Sequence, residues 1–102
     1  MLRQGDVLLV RVENLSETAR HLWREDKGRH ILARGEMTGH HHSVDAKKTE
    51  MWDSDGQTYL NVLDDTTLKH QEHDPIEVNQ GVYEVRLQRQ HHPTIQYRSQ
   101  VD

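Results

Sequence analysis

The sequence predicts an all-β domain of about seven to nine short strands, arranged as a small barrel or a sandwich. Apolar runs recur at a spacing of roughly 8–12 residues, with turn-forming residues between them. No stretch carries the sustained 3.6-residue apolar repeat of a long helix. The 102 residues are the size of one domain, and we expect residues 1–102 to fold as a single compact unit.

The N-terminal third is expected to contain two strands. A turn at Gln4–Asp6 leads into Val7–Val12, whose nearly continuous apolar character is typical of a central strand. Residues 14–29 are polar and charged, and they fit either a loop or a short helix capped by Ser16. Residues 31–33 then form the second strand.

Turn signals place the strands in the middle of the chain. After a turn at residues 35–39, His40–Lys48 is expected to form a strand that carries three consecutive histidines. The pair Asp55-Gly56 is a strong hairpin signal. It predicts that residues 51–52 and residues 57–63 lie on two paired strands.

The C-terminal part is expected to be extended as well. The turn Asn79–Gly81 predicts a second hairpin, between residues 76–78 and residues 82–89. Two further strands are expected at Thr66–Leu68 and Thr94–Val101.

The composition limits the kind of site that the chain can build. Only 32% of the residues are hydrophobic, Phe is absent, and the mean hydropathy is -1.00. A domain with so small a core commonly gains stability from a bound metal or from oligomerisation, so we expect a metal ion, a homodimer or both. Cysteine is absent, so any metal ligands come from His, Asp, Glu or main-chain oxygen.

The net charge and the hydropathy limit the partners and the cellular location that we expect for the protein. The formal net charge is -4, which does not favour nucleic acid as a partner. No stretch approaches the roughly 18–20 apolar residues of a membrane span, and the first residues lack the layout of a signal peptide. We therefore expect a cytoplasmic protein that is not bound to a membrane.

The nine histidines are the outstanding feature of the sequence. They cluster at His40–His42, at His70 with His73, and at His91 with His92. Because alternate residues of a strand share a face, His40 and His42 should point the same way, and a neighbouring strand can bring the second cluster to them. Divalent first-row metals accept imidazole nitrogen. The spacing therefore predicts a metal site whose ligands are His40, His42, His70 and His73.

A carboxylate can complete this metal site. Asp45, Glu50 and Glu72 are the candidates, and one of them would create a site of the two-His-one-carboxylate type. Zinc, iron, nickel and manganese all remain open. The roles of His91 and His92 are open too.

Two other interpretations require no metal. Without metal, two of the histidines can act as general acid and general base on a phosphodiester or a similar small-molecule substrate. Arg34, Arg86 or Arg89 would then hold the anion.

Alternatively, a basic C-terminal face contacts RNA, DNA or a protein partner, with tyrosines for stacking. Its members are Arg86, Arg89, His91, His92, Arg98, Tyr83 and Tyr97. Pairing of the arginines with Glu77 and Glu84 is the simpler explanation of that face.

Several segments together resemble a group of small uncharacterised bacterial and phage proteins. The segments that carry the resemblance are Gln4–Leu9, Gly35–His42, His70–Val78, Gly81–Val85 and Gln88-Arg89. They span most of the chain. The resemblance implies a fold and a site, and it implies no particular reaction.

The chain also resembles, more distantly, the cupins. These are small double-stranded β-helices that bind metal through a His-x-His pair, an acidic residue and a further histidine. His40 and His42 match the His-x-His element, whereas Asp45 falls short of the usual position of the acid and Glu50 lies beyond it. The resemblance implies a double-stranded β-helix with a metal at the His-x-His pair.

Overall fold

The computed structural model describes residues 1–35 and 39–88. These ranges contain eleven β-strands and no helix, so the predicted all-β class is confirmed, and the number of strands exceeds the seven to nine expected. The strands are β1 (Leu2–Gln4), β2 (Val7–Val12), β3 (Arg20–Leu22), β4 (Glu25–Asp26), β5 (Arg29–Arg34), β6 (His41–Asp45), β7 (Thr49–Ser54), β8 (Gln57–Val62), β9 (Thr66–Leu68), β10 (Ile76–Val78) and β11 (Gly81–Leu87). The strand predicted at Thr94–Val101 lies outside the described residues.

The strands form three antiparallel sheets. The largest has six strands in the order β1-β2-β11-β8-β7-β3, the second has the order β4-β5-β6, and the third pairs β9 with β10. The sheets of the described ranges do not close into a barrel, and the arrangement fits a small sandwich. Because β2 lies between β1 and β11, the central position predicted for residues 7–12 is confirmed.

The hairpin predicted at Asp55-Gly56 is confirmed. Strands β7 and β8 pair in register from Thr49↔Val62 to Ser54↔Gln57. The turn residues Asp55 and Gly56 have φ values of 52° and 82°. Positive φ at both central residues is what a two-residue type I′ turn requires.

The second predicted hairpin is wrong. Strand β10 pairs with β9, whereas β11 pairs with β2 on one side and with β8 on the other. Since both edges of β11 are occupied, β10 has no place beside it and joins a different sheet. The Asn79–Gly81 turn therefore connects two sheets, and the Tyr83 hydroxyl closes it by donating to the Asn79 carbonyl oxygen at 2.7 Å.

The short helix considered for residues 14–29 is also wrong, and the alternative, a loop, holds only for the part of this range outside two short strands. Strands β3 and β4 occupy part of this range. The Ser16 hydroxyl accepts a hydrogen bond from the Thr18 amide at 3.2 Å, so it closes a local turn and caps no helix. Within the described ranges no helix is long and apolar enough to cross a membrane.

The hydrophobic core lies between the three sheets, because each of them contributes buried side chains to it. Its largest members are Val7, Leu9, Val44, Met51, Leu60, Val62, Leu68, Val78, Tyr83 and Val85. Val44 comes from the three-stranded sheet, and Leu68 and Val78 come from the two-stranded one. This packing holds β6 and β9 against the large sheet and so sets the position of the segments that carry the histidines.

Candidate functional site

The two central histidine clusters meet in space, as the sequence predicted. They are His40 and His42, at the start of β6, and His70 and His73, on the loop after β9. Two reciprocal backbone hydrogen bonds join these segments: the amide of Ser43 donates to the Lys69 carbonyl, and the amide of Lys69 donates to the Ser43 carbonyl, both at 2.9 Å. The loop is therefore held beside β6 by main-chain bonds that do not depend on the histidine side chains.

His70 lies at the centre of the cluster. Its ring centroid is 4.3 Å from that of His42, 4.5 Å from that of His73 and 5.7 Å from that of His40. The rings of His42 and His73 are stacked at 5.9 Å. Rings gathered this closely can offer several imidazole nitrogens to one cation.

A buried glutamine fixes the orientation of His42. Gln4 is 3% exposed, and its amide nitrogen donates to the carbonyl oxygens of Leu68 and Asp74, both at 2.9 Å. With both amide hydrogens used, the remaining Oε1 faces Nδ1 of His42 at 2.9 Å. A carbonyl oxygen only accepts hydrogen bonds, which assigns the ring hydrogen of neutral His42 to Nδ1.

The other nitrogen of His42 faces a carboxylate. Nε2 of His42 is 3.3 Å from Oδ1 of Asp6, and the two side chains are 5% and 21% exposed. Burial, followed by the charge of His70, lowers the pKa of His42 to about 4, although Asp6 acts in the opposite direction. Near neutral pH the ring is therefore neutral, and Nε2 presents a lone pair to the carboxylate. A cation shared between the two atoms satisfies this arrangement.

Gly5 permits the close approach of two imidazoles to the β1–β2 turn. A Cβ atom at this position would lie 2.7 Å from Nε2 of His73 and 3.3 Å from Cε1 of His42. The residue also has a φ of 58°, a left-handed conformation that glycine adopts most readily. Any larger residue at position 5 would displace the histidines from this turn.

The exposed rim of the cluster is formed by His40 and Glu72. Nδ1 of His40 lies 3.0 Å from Oε1 of Glu72, with side chains 32% and 66% exposed. The amide of Glu72 donates to Nδ1 of His70 at 3.0 Å, which places the hydrogen of neutral His70 on Nε2. Burial, followed by the charge of His73, lowers the pKa of His70. As a metal ligand, His70 would give up the Glu72 hydrogen bond, because the ligating nitrogen must carry a lone pair.

The four histidines of the cluster lie close together, but their side chains are not arranged to bind a metal. Across residues 1–35 and 39–88, no group of three or more His, Asp or Glu side chains is arranged so that it could hold a metal ion. A complete site therefore requires rotation of side chains on the loop after β9.

The structure does not bring two of the three predicted carboxylates to the cluster. Asp45 lies at the far end of β6, about 10 Å along the strand from His42, and its carboxylate accepts the Lys47 amide at 2.8 Å. Glu50 lies on β7, where it accepts hydrogen bonds from Trp52 and Asn61. Of the three, Glu72 alone lies beside a site histidine.

Two of the three predicted anion-binding arginines are occupied by ion pairs. Arg34 pairs with Asp26 at 3.1 Å, and Arg86 pairs with Glu84, on the same strand, at 2.8 Å. Tyr83 is buried in the core, so it is not available for stacking on an exposed face. The other members of the basic face, Arg89, His91, His92, Tyr97 and Arg98, lie outside the described residues.

Three residues of the site were missed by the sequence reasoning. Gln4, Gly5 and Asp6 were interpreted only as the turn before the first strand. The signal available for them was their place in the first of the segments that carry the resemblance to bacterial and phage proteins.

Fold and site together define a small all-β protein that gathers four histidines and an aspartate where its sheets meet. Residues 3–88 match the family described as a domain of unknown function, DUF8820. The chain belongs to this family, and the matched range includes every residue of the cluster. Comparison with curated proteins and with solved structures returned no match.

Proposed function

We propose that the protein binds one divalent first-row metal ion through the histidine cluster, with His42 as the central ligand and His70 and His73 as further ligands. The observation that carries the proposal is the environment of His42. A metal-ligating histidine almost always donates its second ring N–H to a carbonyl or carboxylate oxygen, which fixes the tautomer and aims the other nitrogen at the metal. Gln4 supplies this oxygen at 2.9 Å, and Nε2 points into the cluster.

The chemistry of the donor set supports the same function. Imidazole nitrogen suits zinc, iron and nickel, and added carboxylate oxygen extends the set to manganese. His73 is exposed and lies on the loop after β9, so its ring is free of the tight packing that fixes His42. A metal held by β6 and this loop would also add the stabilisation that so small a hydrophobic core calls for.

Elemental analysis of tag-free protein tests the proposal. Chelator-treated protein is incubated with zinc, iron(II), nickel or manganese, passed through a desalting column and analysed, and its melting is followed in parallel. We expect about one metal ion per chain, and a stabilisation of roughly 2.7 kcal/mol when the free metal is 100 times its Kd. Protein that retains none of the four metals and melts at the same temperature with and without them would overturn the proposal.

Three histidine variants make the test specific. His42→Gln removes the central ligand and should abolish retention of the metal. His30→Gln is the matched control, because His30 is also buried and hydrogen-bonded, to Thr49 at 2.9 Å, outside the cluster; it should retain the metal. His73→Asn, at an exposed position, gives an independent measurement if the buried variants fail to fold.

The other expectations from the sequence stay predictions. They are metal-free acid–base catalysis, a nucleic-acid or protein contact through the basic C-terminal face, a homodimer, a cupin-like arrangement and a cytoplasmic location. Steeply salt-dependent nucleic-acid binding that is lost in an Arg86→Ala/Arg89→Ala variant would support the C-terminal face. The metal proposal does not depend on any of them.

A further inference from the structure

We infer that Asp6 is the carboxylate ligand of the metal, so that it joins His42, His70 and His73 in the donor set. The inference rests on the proposed function and deepens it. It assigns a ligand that no sequence signal had placed at the site, and it brings a third chain segment, the β1–β2 turn, to the metal.

The distance between Asp6 and His42 is the first argument. Zinc binds histidine nitrogen and carboxylate oxygen at about 2.0–2.2 Å. Two such ligand atoms at a tetrahedral angle therefore lie about 3.3–3.5 Å from each other. Nε2 of His42 and Oδ1 of Asp6 are 3.3 Å apart. A direct hydrogen bond between a charged imidazole and a carboxylate is shorter, about 2.7–2.9 Å. The observed spacing thus fits two ligands of one ion better than a direct ion pair.

The tautomer of His42 is the second argument. Gln4 holds the hydrogen of neutral His42 on Nδ1, so the atom that faces Asp6 carries a lone pair. A histidine whose Nδ1–H is held by an oxygen presents Nε2 to the metal, which is the arrangement that metal-ligating histidines show. A divalent cation between Nε2 and Oδ1 of Asp6 would be bound by both atoms at once.

The third argument is that His73 approaches the same turn. Nε2 of His73 and Cε1 of His42 both lie within 3.3 Å of the point where a Cβ of Gly5 would stand. Gly5 directly precedes Asp6, and the backbone of Asp6 is fixed because its carbonyl accepts the Gln88 amide at 2.8 Å. Rotation of the exposed His73 side chain would therefore bring a second imidazole to the carboxylate at this turn.

Glu72 is the other candidate for the carboxylate ligand, and its side chain is much more exposed than that of Asp6. Its side chain is 66% exposed and is paired with His40 at the rim, whereas that of Asp6 is 21% exposed and faces the buried His42. A carboxylate at the rim is well hydrated and gains little from a metal. Asp6 is already largely desolvated, so it gains more.

Metal titration of four proteins tests the inference. Chelator-treated parent, Asp6→Asn, Glu72→Gln and Asp6→Ala are titrated with zinc against a coloured competitor, and with cobalt(II) to record the visible absorption of the bound ion. Asp6→Asn should bind at least about 100-fold more weakly, which is the upper end of the loss seen even for residues that only orient ligands. Glu72→Gln should stay within about threefold of the parent. Added acetate should restore part of the binding and the cobalt spectrum of Asp6→Ala, an effect that a merely structural role of Asp6 would not produce.

The outcomes separate this inference from the proposed function. If the parent binds no metal, the proposed function fails and the inference fails with it. If the parent binds metal and Asp6→Asn binds it equally well, or if Glu72→Gln is the weakened variant, the inference alone fails. Asp6→Ser replaces Asp6→Asn in the titration if the latter does not fold.

Discussion

Replacing Gln4 with Leu should lower the free energy of unfolding of the metal-free protein by about 3 kcal/mol. The change removes one acceptor and two donated hydrogen bonds from a position that is 3% exposed. It leaves Nδ1 of His42 and the carbonyl oxygen of Leu68 without the partner that Gln4 supplied, both in buried surroundings. The carbonyl of Asp74 is on a more exposed segment, where water replaces the lost bond.

The magnitude follows from these groups. Each buried group left without a hydrogen bond costs about 1–3 kcal/mol, so the two together cost roughly 2–6 kcal/mol. Burial of the leucine side chain returns about 1–2 kcal/mol. In a domain of about 100 residues a net loss of about 3 kcal/mol lowers Tm by roughly 12–24 °C.

Urea unfolding in the presence of chelator, followed by tryptophan fluorescence and by circular dichroism, measures this loss. Gln57→Leu is the matched control, since it makes the same chemical change at an exposed position of β8, and it should change stability by no more than about 0.5 kcal/mol. A Gln4→Leu protein within about 1 kcal/mol of the parent would refute the idea that the amide holds the His42 ring.

Two further predictions concern the site. Gly5→Ala should cost roughly 1 kcal/mol more than Gly28→Ala: both glycines have positive φ, at 58° and 80°, but the Cβ at position 5 would lie 3.3 Å from Cε1 of His42, whose ring Gln4 holds, and would also turn the exposed His73 ring aside. Urea midpoints measure the difference, and equal losses would contradict the close approach. Because burial lowers the pKa of His42 from 6.5 to about 4, the unfolded chain binds more protons in this window. The metal-free protein should therefore lose up to about 3 kcal/mol of stability as the pH falls from 6.5 to 4. His42→Gln should lose less over that range, and parallel stability curves for variant and parent would contradict the assignment.

Local signals predicted most of the strands, and pairing between distant strands was harder to predict. Asp55-Gly56 specifies its own turn, so the β7–β8 hairpin follows from four or five neighbouring residues. The Asn79–Gly81 turn looked equally clear, and strands do flank it. Their partners, however, are decided by the core, where β11 already lies between β2 and β8. A turn signal alone does not report whether the edge of the next strand is available.

The candidate site, too, was predictable where the signal is local and not where it depends on contacts between distant segments. Histidine clusters are rare enough in sequence to be noticed, and the structure brings the two central ones together. Asp6 and Gln4 are polar residues beside a glycine, a pattern that a turn explains without any further role. The burial of Gln4, and its contact with a histidine 38 residues away, depend on the packing of the sheets, which no local pattern encodes.

The hydrogen bonds of Gln4 also limit how early the histidine cluster can form during synthesis of the chain. They reach the carbonyl groups of Leu68 and Asp74, which are 64 and 70 residues further along the chain. Closing loops of this length costs conformational entropy before any of these contacts is gained. An N-terminal fragment that ends before residue 68 therefore has neither carbonyl partner of the Gln4 amide, and the amide cannot yet orient His42. The assembled cluster is a marker of completed folding, and a truncated chain that ends before residue 74 should not display it.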